Sequence, residues 1–129
     1  MSHPSGRRTF FTSIANAWEG LSYALKSQRN LQIHIVVGIL AVVAAVAMDF
    51  SRVEVVLVVL TACLVILGEM LNTALEFALN LLESRHHPVV RAAKDLAAGG
   101  VLAAVAGSIL VGALLYGPRL WALLWGLRQ

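Results

Sequence analysis

Residues 53–82 read VEVVLVVLTACLVILGEMLNTALEFALNLL, a run that is almost wholly apolar past Glu54 until carboxylates and amides gather toward its end. As a helix, such a stretch crosses a hydrocarbon layer roughly 30 Å thick. Two further apolar runs flank it, Leu31 to Met48 before and Leu96 to Gly117 after, the last with no charged residue. Together they predict an all-α integral membrane protein of one domain, with spans at about 31–48, 53–82 and 96–117. Composition agrees. Of 129 residues, 59% belong to the set AVILMFWYC and only 13% are charged, with a mean hydropathy of +0.79. Too few polar side chains remain to clothe three such runs in water, which argues against a soluble domain.

Charge sets the expected orientation. Arg7, Arg8, Lys26 and Arg29 precede the first span, and Arg85, Arg91 and Lys94 lie between the second and third. Only Arg52, Arg119 and Arg128 fall on the other side. The bias toward basic residues on the cytoplasmic side puts the N terminus and the second loop inside and the C terminus outside. The net charge of +3 forms no basic stripe with interleaved aromatics, so no nucleic-acid partner is expected. About thirty residues precede the first span and no small-residue cleavage site closes it, so the N terminus is expected to persist. Cys63, the single cysteine, sits mid-span as a small apolar side chain and excludes an internal disulfide.

Ahead of the first span, Phe10, Ile14, Ala17, Trp18, Leu21 and Leu25 recur at helical spacing, opposite Ser13, Asn16, Glu19, Ser22 and Lys26. The pattern predicts an amphipathic helix over about 9–28, lying on the cytoplasmic membrane surface or packed against the protein's other helices. At the other end, Trp121 and Trp125 suit an external interfacial belt. The third span carries Gly99, Ala103 and Gly107 on one spacing of four and Gly100, Ala104, Ser108 and Gly112 on the next, which allows close helix packing, in part between subunits.

Chemistry concentrates in Glu69-Met-Leu-Asn72-Thr73-Ala-Leu-Glu76. The four polar residues fall at i, i+3, i+4 and i+7 and share one helix face. With span two entering at Val53, a rise of about 1.5 Å per residue puts Glu69 roughly 24 Å in and Glu76 roughly 34 Å in, bracketing the inner boundary. A carboxylate at such depth costs about 2.5–3.5 kcal/mol on insertion scales, so the pair calls for a function or for partners such as Lys94 or Arg91 that fix packing. The second loop and the start of span three supply cations in Arg85-His86-His87-Pro88 and Arg91-Ala-Ala-Lys94-Asp95. Carboxylates suit Mg²⁺, Lys neutralises phosphate, and phosphoryl transfer needs little beyond positioning, metal and charge neutralisation. No phosphate-binding glycine loop of the soluble nucleotide folds occurs. His86-His87 lacks the spacing of a zinc site, and His34, inside span one, reads equally as a headgroup contact or a packed side chain.

The run E69-M-L-N-T-A-L-E76, followed by A-K94-D95-L-A-A-G-G-V-L, resembles the prokaryotic diacylglycerol kinase family. The segment W18-E-G-L-S-Y-A-L-K-S-Q-R-N-L-Q-I-H34 and the pair H87-P88 resemble its undecaprenol kinase branch, the similarity covering roughly Asn16 to Leu115. The resemblance implies a homotrimer of three-span subunits with composite sites at the inner face. It implies Glu69 as general base on a lipid hydroxyl, and Glu76 as holder of the Mg²⁺ that bridges the phosphates of the co-substrate ATP. Asn72, Lys94, Asp95 and His87 would line the nucleotide site. Several positions depart from the family pattern. Gln28 stands where a glutamate usually helps Glu76 ligate the metal, Asn80 where aspartate is common, and Ser84-Arg85-His86 where Pro-Glu-Tyr is frequent.

The implied activity is ATP-dependent phosphorylation of a membrane lipid alcohol, undecaprenol first and diacylglycerol second, in the bacterial cytoplasmic membrane. Two readings of another kind stay beside it. One is an ion-coupled transporter, which also uses intramembrane carboxylates though nearer the midplane; the other is a non-catalytic membrane subunit. Orientation is testable from the sequence alone. In a Cys63→Ser background, Ser84→Cys should react with an impermeant maleimide only after the membrane is opened, whereas Gln129→Cys should react on intact spheroplasts; the reverse pattern would invert the topology.

Overall fold

The computed structural model describes residues 9–82 and 87–126. Its four helices are α1 (Phe10–Ser27), α2 (Arg29–Ala47), α3 (Arg52–Leu82) and α4 (Pro88–Gly126). Arg7, Arg8, Ser84, Arg85, His86 and Arg128 lie outside the described residues. Helices α2, α3 and α4 are each long and apolar enough to cross a membrane, with mean hydropathies of 2.2, 2.4 and 2.2 over their most apolar stretches. In hydrocarbon every backbone N–H and C=O must be paired within the chain, and a helix does so along its whole length.

The breaks between helices have local causes. Thr9 caps α1, its hydroxyl accepting from the Thr12 N–H. At Gln28 the backbone turns extended, with φ −109° and ψ 104°, ending α1 and starting α2 one residue later. Gln32 Nε2 donates to the Leu25 carbonyl at 2.8 Å, which satisfies an acceptor that the end of α1 leaves open. Between α2 and α3 the chain reverses through Asp49 at φ 52°, a left-handed conformation that aspartate tolerates better than most side chains. The Phe50 N–H then returns to the Ala45 carbonyl at 3.0 Å. Ser51 and Glu54 form a capping box, with the Ser51 N–H donating to Glu54 Oε2 at 2.8 Å and the Glu54 N–H donating to Ser51 Oγ at 3.4 Å.

Helix α4 runs past both ends of the apolar stretch 96–117, so Arg91, Lys94 and Asp95 stand on the helix itself and not in a loop. Its 39 residues amount to about 58 Å, well beyond the hydrocarbon thickness. Pro118 lies inside it, where the ring nitrogen cannot donate to the preceding turn.

Helices α2 and α4 each pack along α3. Packing on α3 follows one stripe of Val58, Val65, Glu69 and Thr73, the buried residues of that helix. The tightest approach is at Gly38, where a Cβ would stand 3.1 Å from the Ala62 Cβ of α3. Nearer the α2–α3 turn, Ala45, Phe50 and Val58 form a small buried cluster with Leu115 and Tyr116 beside it. There Arg119 makes two 2.9 Å hydrogen bonds to the Glu54 carboxylate and lies 4.0 Å over the Phe50 ring. Elsewhere the helices carry exposed Val36, Leu40, Leu64, Leu102, Ile109 and Leu114, side chains that suit lipid or another subunit.

Helix α1 is amphipathic, as its pattern suggests. Toward its end Ala24 is buried and the Tyr23 and Phe77 rings meet edge-on at 6.0 Å, while Phe10, Phe11, Ile14 and Trp18 remain exposed. One end therefore packs on α3, and the other leaves its apolar face for the membrane surface.

The Gly38 contact generates a prediction. Gly38→Val inserts a branched side chain where Ala62 leaves no room, and should cost roughly 1–3 kcal/mol as overpacking, read as a lower thermal unfolding midpoint in detergent micelles. Gly20→Ala, on α1 with nothing within 4 Å of the new Cβ, should be neutral or gain about 0.5–1 kcal/mol. An unchanged midpoint for Gly38→Val would mean that α2 and α3 do not need this approach.

Candidate active site at the Gln28 end of the bundle

One contact sets the level of residues across α2 and α3: Gly38 of α2 meets Ala62 of α3. In an antiparallel pair that register sets Leu31 level with Glu69 and Gln28, just before α2, with Asn72. Beyond the break at Gln28, Tyr23 of α1 meets Phe77 of α3. Leu31 is 1% exposed and is the largest fully buried side chain among the described residues, so apolar packing closes the level of Glu69 on the α2 side.

Glu69 itself is 5% exposed and Thr73 7%. Among the described residues no side chain donates to the Glu69 carboxylate. The cations that sequence reasoning set against it are engaged elsewhere: Lys94 Nζ donates to Asn80 Oδ1 at 2.6 Å, and Arg91 stands 3.9 Å from Asp95 one turn along α4. A packing role through Lys94 or Arg91 is thus not realised. The buried carboxylate has no counter-charge among the described residues, and such groups are retained where they act.

Asn72 is half-buried, and its Oδ1 is enclosed without a hydrogen-bond partner. It borders a cleft of about 340 Å³ between α3 and α4, otherwise lined by apolar residues including Leu71, Leu75, Leu96 and Ala97. One turn on, Glu76 is exposed, and past it Asn80 meets Lys94. From interior to inner surface, α3 therefore presents a buried carboxylate, an enclosed amide, an open carboxylate and an amide bound to a cation. Gln28, at the α1–α2 break, is half-buried and its side chain caps nothing. His87 precedes α4, and its Nδ1 accepts from the Val89 N–H at 3.3 Å; with that nitrogen an acceptor, the proton of the neutral ring lies on Nε2. Asp95 is exposed.

The oxygens of Glu76, Asn72 and Gln28 are of the hard kind that Mg²⁺ takes, and Mg²⁺ commonly uses one or two carboxylates completed by water and substrate phosphates. Among the described residues no group of three His, Cys, Asp or Glu gathers to hold a metal by itself. The donor set fits a cation shared with phosphate, not a closed structural site.

A family model described as prokaryotic diacylglycerol kinase matches residues 15–116. The chain belongs to that family. It is 40% identical over 113 residues to the diacylglycerol kinase of Synechocystis sp., covering 87% of this chain and 65% of that protein, so it spans about two thirds of that relative's length. With the undecaprenol kinase of Bacillus subtilis it shares 30% identity over 118 residues, covering 92% of this chain and 96% of the relative. With the diacylglycerol kinase of Escherichia coli it shares 31% over 106 residues, covering 79% and 87%.

Two features escaped sequence reasoning about this family member. Asn80 was noted only as a departure, yet it holds Lys94; fourteen positions apart on different helices, the two give no periodic signal. Thr73 shares the polar face but was given no role, and it proves as buried as Glu69.

Burial of an unpaired carboxylate is a stability cost. Glu69→Leu should therefore raise the unfolding free energy by on the order of 1–3 kcal/mol in detergent micelles, whereas removing an integrated structural residue would lower it. A destabilised variant would show that Glu69 holds the helices together.

Proposed function

We propose that the chain is an ATP-dependent lipid kinase that transfers the γ-phosphoryl group to the primary hydroxyl of a membrane lipid alcohol. The observation that carries this reading is Glu69, buried in the apolar stripe of α3 with no counter-charge among the described residues, one turn from a polar face that opens at the Asn80 end of the bundle. A base at that depth meets a hydroxyl whose chain stays in the bilayer, while phosphate-binding groups remain near water.

In the proposed reaction Glu69 accepts the hydroxyl proton as the lipid oxygen forms its bond to the γ-phosphorus and the bond from phosphorus to the ADP oxygen breaks. ADP leaves and the lipid monophosphate stays in the membrane. Mg²⁺, held by Glu76 with amide oxygen from Asn72 or Gln28, would neutralise phosphate charge. Lys94 opposes the charge on the phosphates, and because its partner Asn80 is neutral the ammonium keeps its full charge for that task. His87 and Asp95 face the nucleotide from the start of α4.

Undecaprenol is the acceptor we favour. Support comes from the segment Trp18 to His34 and from a match that runs nearly end to end with the B. subtilis undecaprenol kinase. Diacylglycerol is the second reading, favoured by the higher identity to the Synechocystis diacylglycerol kinase. We further propose a homotrimer with composite sites in the bacterial cytoplasmic membrane, N terminus inside and C terminus outside. It is supported by α4, which buries no residue in one chain, and by the incomplete cation shell. The family match weighs against an ion-coupled transporter.

The test is transfer of labelled phosphate from Mg·ATP to undecaprenol and diacylglycerol side by side in mixed micelles. Labelling of undecaprenol at the higher kcat/KM is expected; labelling of diacylglycerol alone would select the second reading, and labelling of neither would remove the kinase proposal. Glu69→Gln should lower kcat by about 10²–10⁴-fold with nucleotide affinity unchanged. Gln28→Glu should lower the Mg²⁺ concentration needed for half-maximal rate; no change would put Gln28 outside the site.

A further inference from the structure

A groove of about 420 Å³ lies away from the polar face, with walls from all three spans: Val37 and Ala41 of α2, Val58 and Val65 of α3, and Ile109 and Gly112 of α4. Helices α2 and α4 both pack on α3, so the groove lies between them with α3 at its back.

Its two ends differ. At the inner end stand His34 and Val65, and Val65 is one helical turn from Glu69 on the same buried stripe. At the outer end a bridge crosses it. Tyr116 Oη of α4 donates to the Ala41 carbonyl of α2 at 2.6 Å, and the Phe50 ring lies 4.7 Å from the Tyr116 ring. Below them the Arg119–Glu54 pair ties α4 to the start of α3. The groove thus leads toward Glu69 at one end and is floored at the other.

Its walls are apolar in effect. The Thr61 hydroxyl donates to the Leu57 carbonyl and the Ser108 hydroxyl to the Val105 carbonyl, so both are satisfied within their own helices. His34, near the inner end, is the lining side chain with ring nitrogens unpartnered among the described residues. Gly112 has nothing within 4 Å of the position its Cβ would take, so the missing side chain is what keeps the outer half of the groove open.

We infer that this groove receives the hydrocarbon chain of the acceptor lipid, with its hydroxyl at Glu69, and that Gly112 and the Tyr116–Ala41 floor fix the length of chain enclosed. The inference rests on the proposed lipid kinase reaction and adds a specificity determinant to it. The volume of about 420 Å³ lies within the range of small-molecule sites. A chain longer than the groove must leave sideways between α2 and α4 into the bilayer. Selectivity then falls on the segment of chain nearest the hydroxyl.

Gly112→Ala, Gly112→Val and Gly112→Leu fill the outer half stepwise without meeting backbone. Each is assayed in mixed micelles with a short-chain and a long-chain primary alcohol of the same series, reading kcat/KM for both. The wild type is expected to prefer the long chain, and the series should shrink that preference progressively, by about tenfold or more at Leu, while turnover of the short chain persists. Turnover of the short chain also reports that each variant is folded. Loss of both activities in parallel along the series, with or without a change of oligomeric state in size-exclusion chromatography, would overturn the inference and assign the groove to packing against a second copy. An unchanged preference at Gly112→Leu would overturn it too. Absence of turnover by the wild type on any alcohol would instead refute the kinase reading on which it rests.

Discussion

Gly38 against Ala62 is a small contact with long reach. Because a Cβ at position 38 would stand only 3.1 Å from the Ala62 Cβ, the absence of a side chain there lets α2 close on α3 in this register, and an antiparallel register fixes every level along α2 above and below it. It sets Leu31 against the level of Glu69, so that an apolar side chain closes that side of the carboxylate. It also brings the α1–α2 break at Gln28 level with Asn72, which lets the surface helix reach the polar end of α3 through Tyr23 and Phe77. A slip of one residue would rotate α2 by about 100° and expose the carboxylate to lipid. The register is therefore a condition for the chemistry as well as for packing.

How much of this could be read beforehand follows from which features are periodic. Glu69, Asn72, Thr73 and Glu76 recur at helical spacing, and their depth follows from counting along an apolar run, so the polar face and its place toward one end of the span were legible. Span lengths were less so. Hydropathy marks where lipid ends and not where a helix ends, and α4 continues into Pro88–Asp95 and Pro118–Gly126 because those residues are interfacial yet still form helix. The pairings that settle the electrostatics were not legible at all. Lys94 with Asn80 and Arg119 with Glu54 join residues on different helices, and nothing in local spacing distinguishes them from Lys94 with Glu76.

The two ends of the bundle handle charge in opposite ways. At the α2–α3 turn, Glu54 and Arg119 satisfy each other through two hydrogen bonds, with Ser51 and the Phe50 ring completing the surroundings. The cluster holds α4 against that turn. At the opposite end the ion pair among the described residues is the exposed Arg91–Asp95 contact at 3.9 Å, while Glu69 is buried without a counter-charge among those residues, Glu76 is open, and Lys94 binds a neutral amide.

In the site we propose, two of the departures that the resemblance marks act together. Gln28 and Asn80 each put an amide where the resemblance implies a carboxylate, so the proposed site holds two fewer negative charges. Gln28 there would weaken the protein's own hold on a cation. Asn80 holds Lys94 without a charge to offset it. In the proposed reaction phosphate oxygens would thereby be opposed more by the lysine and less through a protein-bound metal, and the nucleotide would bring more of the cation's coordination with it. The proposed base, Glu69, is untouched by either change.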